Sequence, residues 1–244
     1  MIIDSGENKQ RILAEFLQIC KFDGWNEKSL QKAIKNCAIS ENFLPLIFEN
    51  NCLSLAEFYI ESYNQKAAEK ILNVENFSSK KIRDKIRLSL YERFEVEINN
   101  KIQLQRLINF YLNPKNFLSI NFGPRPMIAA LKASYLVADS IWKNINDQST
   151  DFNFYTKRLT LAKIILRSLD VFVKDESPFF QKTKDFIDLE IDSVMRFEKH
   201  KSKIKNFSVA AKATICDFFV EKNSSSKSPK EIIKNLPFFR LIKF

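Results

Sequence analysis

The chain has 244 residues, of which 45% are apolar, and carries 39 Lys and Arg against 29 Asp and Glu. This length is enough for one sizeable hydrophobic core or two modest ones, so we expect a folded, soluble protein. With only three glycines and seven prolines, the chain lacks the frequent turn signals of a sheet protein, which favours helices joined by short loops. We therefore predict an all-α fold.

Three helices are predicted in the first quarter of the chain, followed by a longer one. Residues 8–22 repeat apolar side chains with a period near 3.6, and Gly24 follows at the position of a helix C-terminal cap. A second, short helix is predicted from Glu27 to Asn36. Ser40 is placed to cap a third short helix that begins at Glu41. The longer helix runs from about Leu53 to Ile71.

This pattern resembles the N-terminal helix-turn-helix domain of TetR-type regulators over about the first 70 residues. It departs from that family where DNA would be read. Ala38 stands at the turn in place of the usual glycine. Pro45 interrupts the recognition helix ENFLPLIF, and Asn42 is the one residue of this helix whose side chain suits a hydrogen bond to a base edge. Residues 1–70 hold eight basic and ten acidic residues, a net of −2, and DNA affinity depends on basic contacts to phosphate. We predict that nucleic acid is not a partner.

Four further helices are predicted in the rest of the chain. Ser78 and Ser79 are placed to cap a basic helix over 80–98. The next helix, from Met127 to Ile145, is apolar around most of its circumference and is predicted to be central. The last two are a helix from about Phe152 to Val173 and a long helix over 178–199 that the pair Ser177-Pro178 opens.

Residues suited to catalysis are scarce. His200 is the one histidine and lies in the basic run EKHKSK, and the chain has no HExxH, GxSxG or glycine-rich phosphate loop. The four cysteines lie far apart without CxxC spacing, at Cys20, Cys37, Cys52 and Cys216. They are interpreted as reduced thiols, mostly in the core. We predict a protein that is not an enzyme and holds no catalytic residue, metal or cofactor.

The segment 201–222 combines lysines with apolar residues at intervals of three and four. The apolar positions are Ile204, Phe207, Ala211, Ile215 and Phe218, with Phe219 beside them. This pattern favours a helix that lies in a membrane interface. The alternative is a last helix packed into the domain or into a dimer interface. Residues 223–244 are interpreted as a flexible linker and a basic apolar tail.

The run IWKNINDQSTDFNFYTKRLTLA, together with DSVMRFEK and the Gly24-Trp25 pair, resembles the Coq-nine family. These are accessory proteins of ubiquinone biosynthesis with a TetR-like fold, and the resemblance extends to about residue 220. It implies a protein that binds isoprenoid quinone lipid in its C-terminal helical domain and meets a membrane surface. It also implies that the protein presents quinone precursors to the di-iron demethoxyubiquinone hydroxylase.

The same resemblance implies which residues contact the hydroxylase. The family's patch matches Ile141, Trp142, Phe154 and Tyr155, with Arg158 alongside. Phe154 departs from the tryptophan common at that position. The competing interpretation is that these rings pack the core, while aromatic and Arg side chains are the usual energetic centres of interfaces.

We expect three regions: a TetR-like domain over 1–70, a lipid-binding and partner-binding domain over 71–222, and the tail 223–244. We expect the function of the Coq-nine family, carried out by a homodimer. The alternative function is that of a TetR-type ligand-responsive transcriptional regulator. The polar start MIIDSGENKQ predicts no signal peptide, and no apolar run is long enough to span a bilayer. We therefore expect a bacterial cytoplasmic location, peripheral on the inner face of the membrane.

Overall fold

The computed structural model describes residues 5–40, 47–49, 52–113, 126–150 and 152–201. Within these ranges the chain forms helices and no strand, which confirms the predicted all-α class. The α-helices are α1 (Ser5–Asp23), α2 (Glu27–Asn36), α3 (Cys52–Leu72), α4 (Ile82–Glu95), α5 (Lys101–Leu112), α6 (Pro126–Asn144), α7 (Phe152–Lys174) and α8 (Gln181–Lys201).

The chain divides into two compact units. The larger contains Met1–Gln148 and Arg158–Ile191, and the smaller contains Ser149–Lys157 and Asp192–Phe244. Helices α7 and α8 each begin in one unit and end in the other. The proposed functional division at residue 70 is a separate matter and stays a prediction.

The turn between α1 and α2 follows the sequence prediction closely. Gly24 has φ 85°, a left-handed conformation that glycine adopts without a Cβ penalty, and its amide donates to the Cys20 carbonyl at 3.0 Å. Asn26 then caps α2 by accepting from the Ser29 amide at 3.0 Å. Both helix boundaries therefore have a local cause that is visible in the sequence.

The turn after α2 keeps the conformation of a glycine turn without the glycine. Ala38 has φ 56°, and its amide donates to the Lys35 carbonyl at 3.0 Å. A left-handed conformation is unfavourable for an alanine by about 1–2 kcal/mol. The third short helix predicted from Glu41 lies outside the described residues.

Trp25 joins the first two helices to α3. Its ring packs edge-on against Phe16 and Tyr59, with ring centroids 4.8 and 5.7 Å apart, and its indole N–H donates to the Cys52 carbonyl at 3.2 Å. Because this contact buries an aromatic ring and satisfies its polar group, it fixes the start of α3 against α1. The arrangement of α1 to α3 is consistent with a TetR-like domain.

Helix α6 is central in the larger unit, as its all-round apolar sequence predicts. It packs against α3, α4 and α5. Leu131, Val137, Ala138 and Ile141 are buried along it, each 7% exposed or less. A second buried contact runs from α4 to α7 through Phe94 and Phe172, whose ring centroids are 4.9 Å apart.

Two helix starts differ from prediction. Ser79 does not cap α4, because residues Phe77–Ser79 form a 3-10 turn in which the Ser79 hydroxyl donates to the Asn76 carbonyl at 2.9 Å. Helix α4 begins at Ile82 without a side-chain cap. The long last helix likewise begins later than predicted, at Gln181, because residues Pro178–Phe180 form a 3-10 turn in which Phe179 has φ 52°.

An aspartate that the sequence analysis did not single out organises the start of α8. The Asp175 carboxylate accepts four hydrogen bonds, from the amide and hydroxyl of Ser177 and from the amide and hydroxyl of Thr183, at 2.5–2.8 Å. Burial by itself raises the pKa of Asp175, but these four bonds outweigh it and lower the pKa to about 2. The Ser177 hydroxyl in turn accepts from the Lys182 amide at 3.0 Å.

Candidate functional site

A buried arginine holds the connection between α6 and α7 in the larger unit. Arg158 is 2% exposed, and its Nε lies 2.6 Å from Asp139 Oδ1 while its Nη1 lies 3.2 Å from Asp147 Oδ2. Asp139 belongs to α6, Asp147 to the turn after it, and Arg158 to α7. One guanidinium therefore joins both helices and the turn, using the forked donor geometry that distinguishes Arg from Lys.

The turn itself has a local reason in the sequence run Asn144-Ile145-Asn146-Asp147. Asn146 adopts φ 58°, which asparagine tolerates better than most residues. Its amide donates to the Lys143 carbonyl at 3.0 Å, and the Asp147 amide donates to the Trp142 carbonyl at 3.1 Å. These bonds end α6 and bring the Asp147 carboxylate to Arg158.

The charges in this clamp favour ionised carboxylates. Asp139 also pairs with Lys143, whose Nζ lies 2.7 Å from Asp139 Oδ2. Burial by itself raises the pKa of Asp139, but the hydrogen bonds from Lys143 and Arg158 outweigh it and lower the pKa below its ordinary value. Asp139 is therefore charged throughout the physiological pH range.

Three of the predicted partner-binding residues are buried in the larger unit. Ile141 is 3% exposed, Trp142 is 6% exposed, and Arg158 is the clamp residue described above. Burial within this chain does not test whether a partner reaches them, so their role stays a prediction. The clamp does show what Arg158 contacts inside the protein.

The other two predicted partner-binding residues lie in the smaller unit, in the first turn of α7. Phe154 and Tyr155 pack edge-on with ring centroids 5.1 Å apart. Phe154 is half-buried, whereas Tyr155 is 40% exposed. Tyr155 is therefore partly accessible to solvent, and its contact with a partner stays a prediction.

The predicted membrane-binding residues lie outside the described residues, since the whole segment 202–244 does. Their role stays a prediction. Among the residues that the structure does describe, no helix is long and apolar enough to cross a membrane.

Sequence reasoning missed both carboxylates of the clamp. Asp147 had a usable signal, because it ends a turn-forming run directly before the aromatic segment. Asp139 had none, since an acidic residue within an apolar helix becomes informative only when the facing residue is known. The family resemblance indicated Arg158 as a residue beside the hydroxylase contact, and that role stays a prediction.

The cysteines agree with the prediction of reduced thiols where they are described. Cys20, Cys37 and Cys52 are free, and Cys20 and Cys52 are completely buried. Burial raises the pKa of Cys20 to about 12, so its thiol stays protonated and unreactive. Cys37 is only half-buried. The described part of the chain contains no cluster of His, Cys, Asp or Glu able to hold a metal ion.

Comparison with known proteins relates this chain to one family. Residues 127–198 match the COQ9 family model, a range that covers almost all of α6, all of α7 and most of α8. The chain is also similar to the mitochondrial ubiquinone biosynthesis protein COQ9 of Rattus norvegicus, with 24% identity over 198 residues, and to that of Homo sapiens, with 23%. A probable coq9 protein of Dictyostelium discoideum is 21% identical over 199 residues.

These matches cover 81% of this chain for the rat and human proteins and 82% for the Dictyostelium protein. The chain spans about three fifths of the length of these relatives: 62%, 61% and 63% respectively. Their names state a part in ubiquinone biosynthesis and no reaction.

The comparison also corrects one expectation. The predicted bacterial cytoplasmic location is wrong, because the relatives found are named as mitochondrial proteins and come from eukaryotes. That expectation rested on the polar first residues, which do not determine where the protein is located. The resemblance expected from the QSTDFNFYTKR segment is confirmed, since that segment lies inside the range 127–198 that is similar to the COQ9 family.

Proposed function

We propose that this chain is an accessory protein of ubiquinone biosynthesis. It binds a polyprenyl quinone intermediate at a membrane surface and presents it to the di-iron demethoxyubiquinone hydroxylase. The observation that carries this proposal is the COQ9 match over residues 127–198, which contains every residue of the predicted hydroxylase contact. The names of the relatives support the pathway.

The physical task is to lower the cost of removing a long apolar tail from the bilayer. Each methylene-sized group of the tail costs about 0.8 kcal/mol when it enters water. An apolar binding site beside the membrane avoids that cost, because the tail passes from one apolar environment to another. The amphipathic segment predicted over 201–222 would hold the protein at the surface where this transfer occurs.

For the hydroxylase contact, we propose that Tyr155 and Phe154 touch the partner directly. Tyr155 has the required exposure, and Phe154 packs against its ring. Ile141, Trp142 and Arg158 are buried in this chain, so we propose that they act by keeping α6 and α7 in place. We further propose a homodimer formed through the C-terminal helices, which sedimentation equilibrium of the full chain would test.

Mass spectrometry of lipids that co-purify with the full-length chain tests the lipid part of the proposal. We expect an isoprenoid quinone or its precursor to be enriched over the lipids of the expression host. Recovery of ordinary phospholipids with no isoprenoid compound would contradict it.

Affinity for the purified hydroxylase tests the contact. Replacing an exposed aromatic hot-spot residue costs on the order of 2 kcal/mol, so we expect Tyr155→Ala to weaken binding roughly thirtyfold. Phe22→Ala is the matched control, because Phe22 is an aromatic residue that is 77% exposed on another helix. Equal affinities of the two variants would rule out the contact at Tyr155.

A further inference from the structure

The start of α4 carries a concentration of positive charge. Residues 80–87 contain five basic residues and one acidic residue. Lys81 and Arg83 are exposed, and Lys80 and Lys85 are half-buried. Among the described residues, no carboxylate forms an ion pair with Lys80, Lys81 or Lys85.

The one acidic residue in this stretch is already engaged. Asp84 Oδ1 lies 3.0 Å from Arg87 Nη1 and 3.9 Å from Arg83 Nε. Lys85 lies over the Phe77 ring, with its Nζ 5.9 Å from the ring centroid. The positive potential of the lysines is therefore only partly compensated from within the chain.

Exposed apolar side chains lie at the same end of the larger unit. Ile82, the first residue of α4, is 59% exposed. Asp188 of α8 contacts α4 twice, with its Oδ1 2.5 Å from Arg87 Nε and 2.6 Å from the Tyr91 hydroxyl. Leu189, the next residue, is 64% exposed.

Helices α4 and α8 run antiparallel within the larger unit. Lys184 is placed over the Tyr91 ring, with its Nζ 5.6 Å from the centroid, and Asp188, one turn later in α8, pairs with Arg87, one turn earlier in α4.

We propose that Lys80, Lys81, Ile82, Arg83, Lys85 and Leu189 form a surface that binds an anionic lipid bilayer. Basic residues near the bilayer are attracted by its negative surface potential, and exposed Ile and Leu side chains enter the interface between headgroups and acyl chains. Charge complementarity favours this partner. These residues are not those of the predicted segment 201–222, so the surface adds a second membrane contact to the proposed function, on which it rests.

Co-sedimentation of the full-length chain with lipid vesicles tests this surface. The probes are vesicles of phosphatidylcholine alone and vesicles in which one quarter of the lipid is phosphatidylglycerol. The double variant Lys81→Glu/Lys85→Glu reverses the charge of two side chains and should weaken partitioning to the anionic vesicles at least ~tenfold. Binding to the neutral vesicles should stay as in the unaltered chain.

The matched control is Lys28→Glu/Lys35→Glu, which changes two exposed lysines of α2 and alters the net charge equally. We expect this control to stay within about twofold of the unaltered chain, since its lysines lie outside the surface. If the two double variants bind anionic vesicles equally well, the net charge of the chain alone determines binding and the proposed surface is refuted. Absence of any preference of the unaltered chain for anionic vesicles refutes it too.

The apolar part of the surface has its own test. Ile82→Asp should weaken binding to anionic vesicles several-fold, whereas Leu72→Asp, at a leucine that is 85% exposed at the end of α3, should not. Equal losses for both variants would contradict the proposed surface. The lipid content and the hydroxylase affinity are measured separately, so failure here leaves the proposed function standing and failure there leaves this surface standing.

Discussion

Replacing Arg158 by alanine tests whether the clamp stabilises the larger unit. The substitution removes a guanidinium that is 2% exposed and that pairs with Asp139 and Asp147, whose side chains are 19% and 6% exposed. Breaking a buried pair from one side costs about 3–5 kcal/mol, because the remaining charge has lost its solvation and its partner. Since Asp139 keeps Lys143 at 2.7 Å, we expect a loss in the lower half of that range.

Arg167→Ala is the matched control for this experiment. Arg167 lies on the same helix and its Nη1 is 2.7 Å from Glu190 Oε2, a distance close to that of the Arg158–Asp139 pair. The Arg167 side chain is 46% exposed and that of Glu190 is 14% exposed. Because solvent reaches the Arg167 guanidinium, water and salt screen this pair more than the clamp, and its contribution lies nearer the ~0–1 kcal/mol of exposed pairs. The two variants therefore differ mainly in the burial of the arginine, which is 2% exposed at Arg158 and 46% exposed at Arg167.

Urea denaturation followed by circular dichroism at neutral pH measures both losses as free energies of unfolding. We expect the loss from Arg158→Ala to persist at high salt, since buried pairs are poorly screened, and the smaller loss from Arg167→Ala to shrink. If both variants lose the same free energy, burial does not decide the strength of these pairs and the reasoning fails.

The pH dependence gives a second measure of the clamp. The pKa of Asp139 is lower in the folded than in the unfolded chain. The unfolded chain therefore takes up the proton first as the pH falls. The stability that this carboxylate contributes is complete above the unfolded pKa of about 3.9 and is lost as the pH falls below it. The difference in free energy of unfolding between the unaltered chain and Arg158→Ala should therefore become smaller at acidic pH.

Three further substitutions have expected outcomes that the same denaturation assay checks. Ala38→Gly should stabilise the chain by about 0.5–1 kcal/mol, because Ala38 is exposed at φ 56° and glycine avoids the strain; a loss would contradict this. Asp175→Ala should lower the free energy of unfolding by about 2 kcal/mol at neutral pH. This difference from the unaltered chain should disappear as the pH falls from about 4 to about 2, the lowered pKa of Asp175. Glu97→Ala should cost about 3 kcal/mol or more, because Glu97 is 1% exposed and pairs with buried Arg93 at 2.7 Å. Asp170→Ala is its control, since Asp170 is 70% exposed in a Lys–Asp pair with the same helical spacing, and equal losses would refute the role of burial.

Local signals in the sequence predicted most of the helices and several of their ends. Gly24 ends α1 as expected, and α2 spans Glu27–Asn36 as expected. The apolar circumference of α6 predicted its central position. These features depend on a residue and its neighbours within a few positions, so the sequence contains them directly.

One predicted serine cap is absent, and the other acts through a turn, for a physical reason. A serine near a helix start can bond to several neighbouring backbone groups, and Ser79 closes a 3-10 turn instead of capping α4. Ser177 donates its hydroxyl to Asp175 and accepts from the Lys182 amide, while Pro178–Phe180 form a 3-10 turn, so α8 starts at Gln181. Competition among such neighbours depends on the geometry of the whole turn.

The sequence by itself determined the helical class, the resemblance to the COQ9 family and the segment that carries the aromatic motif of that resemblance. Periodicity, turn residues and a specific run of side chains are all local properties. Only the tertiary structure decided that Arg158 is a buried clamp and that Tyr155 is 40% exposed. Both outcomes depend on which side chains face each other across helices, because burial and pairing arise from contacts between residues distant in the chain.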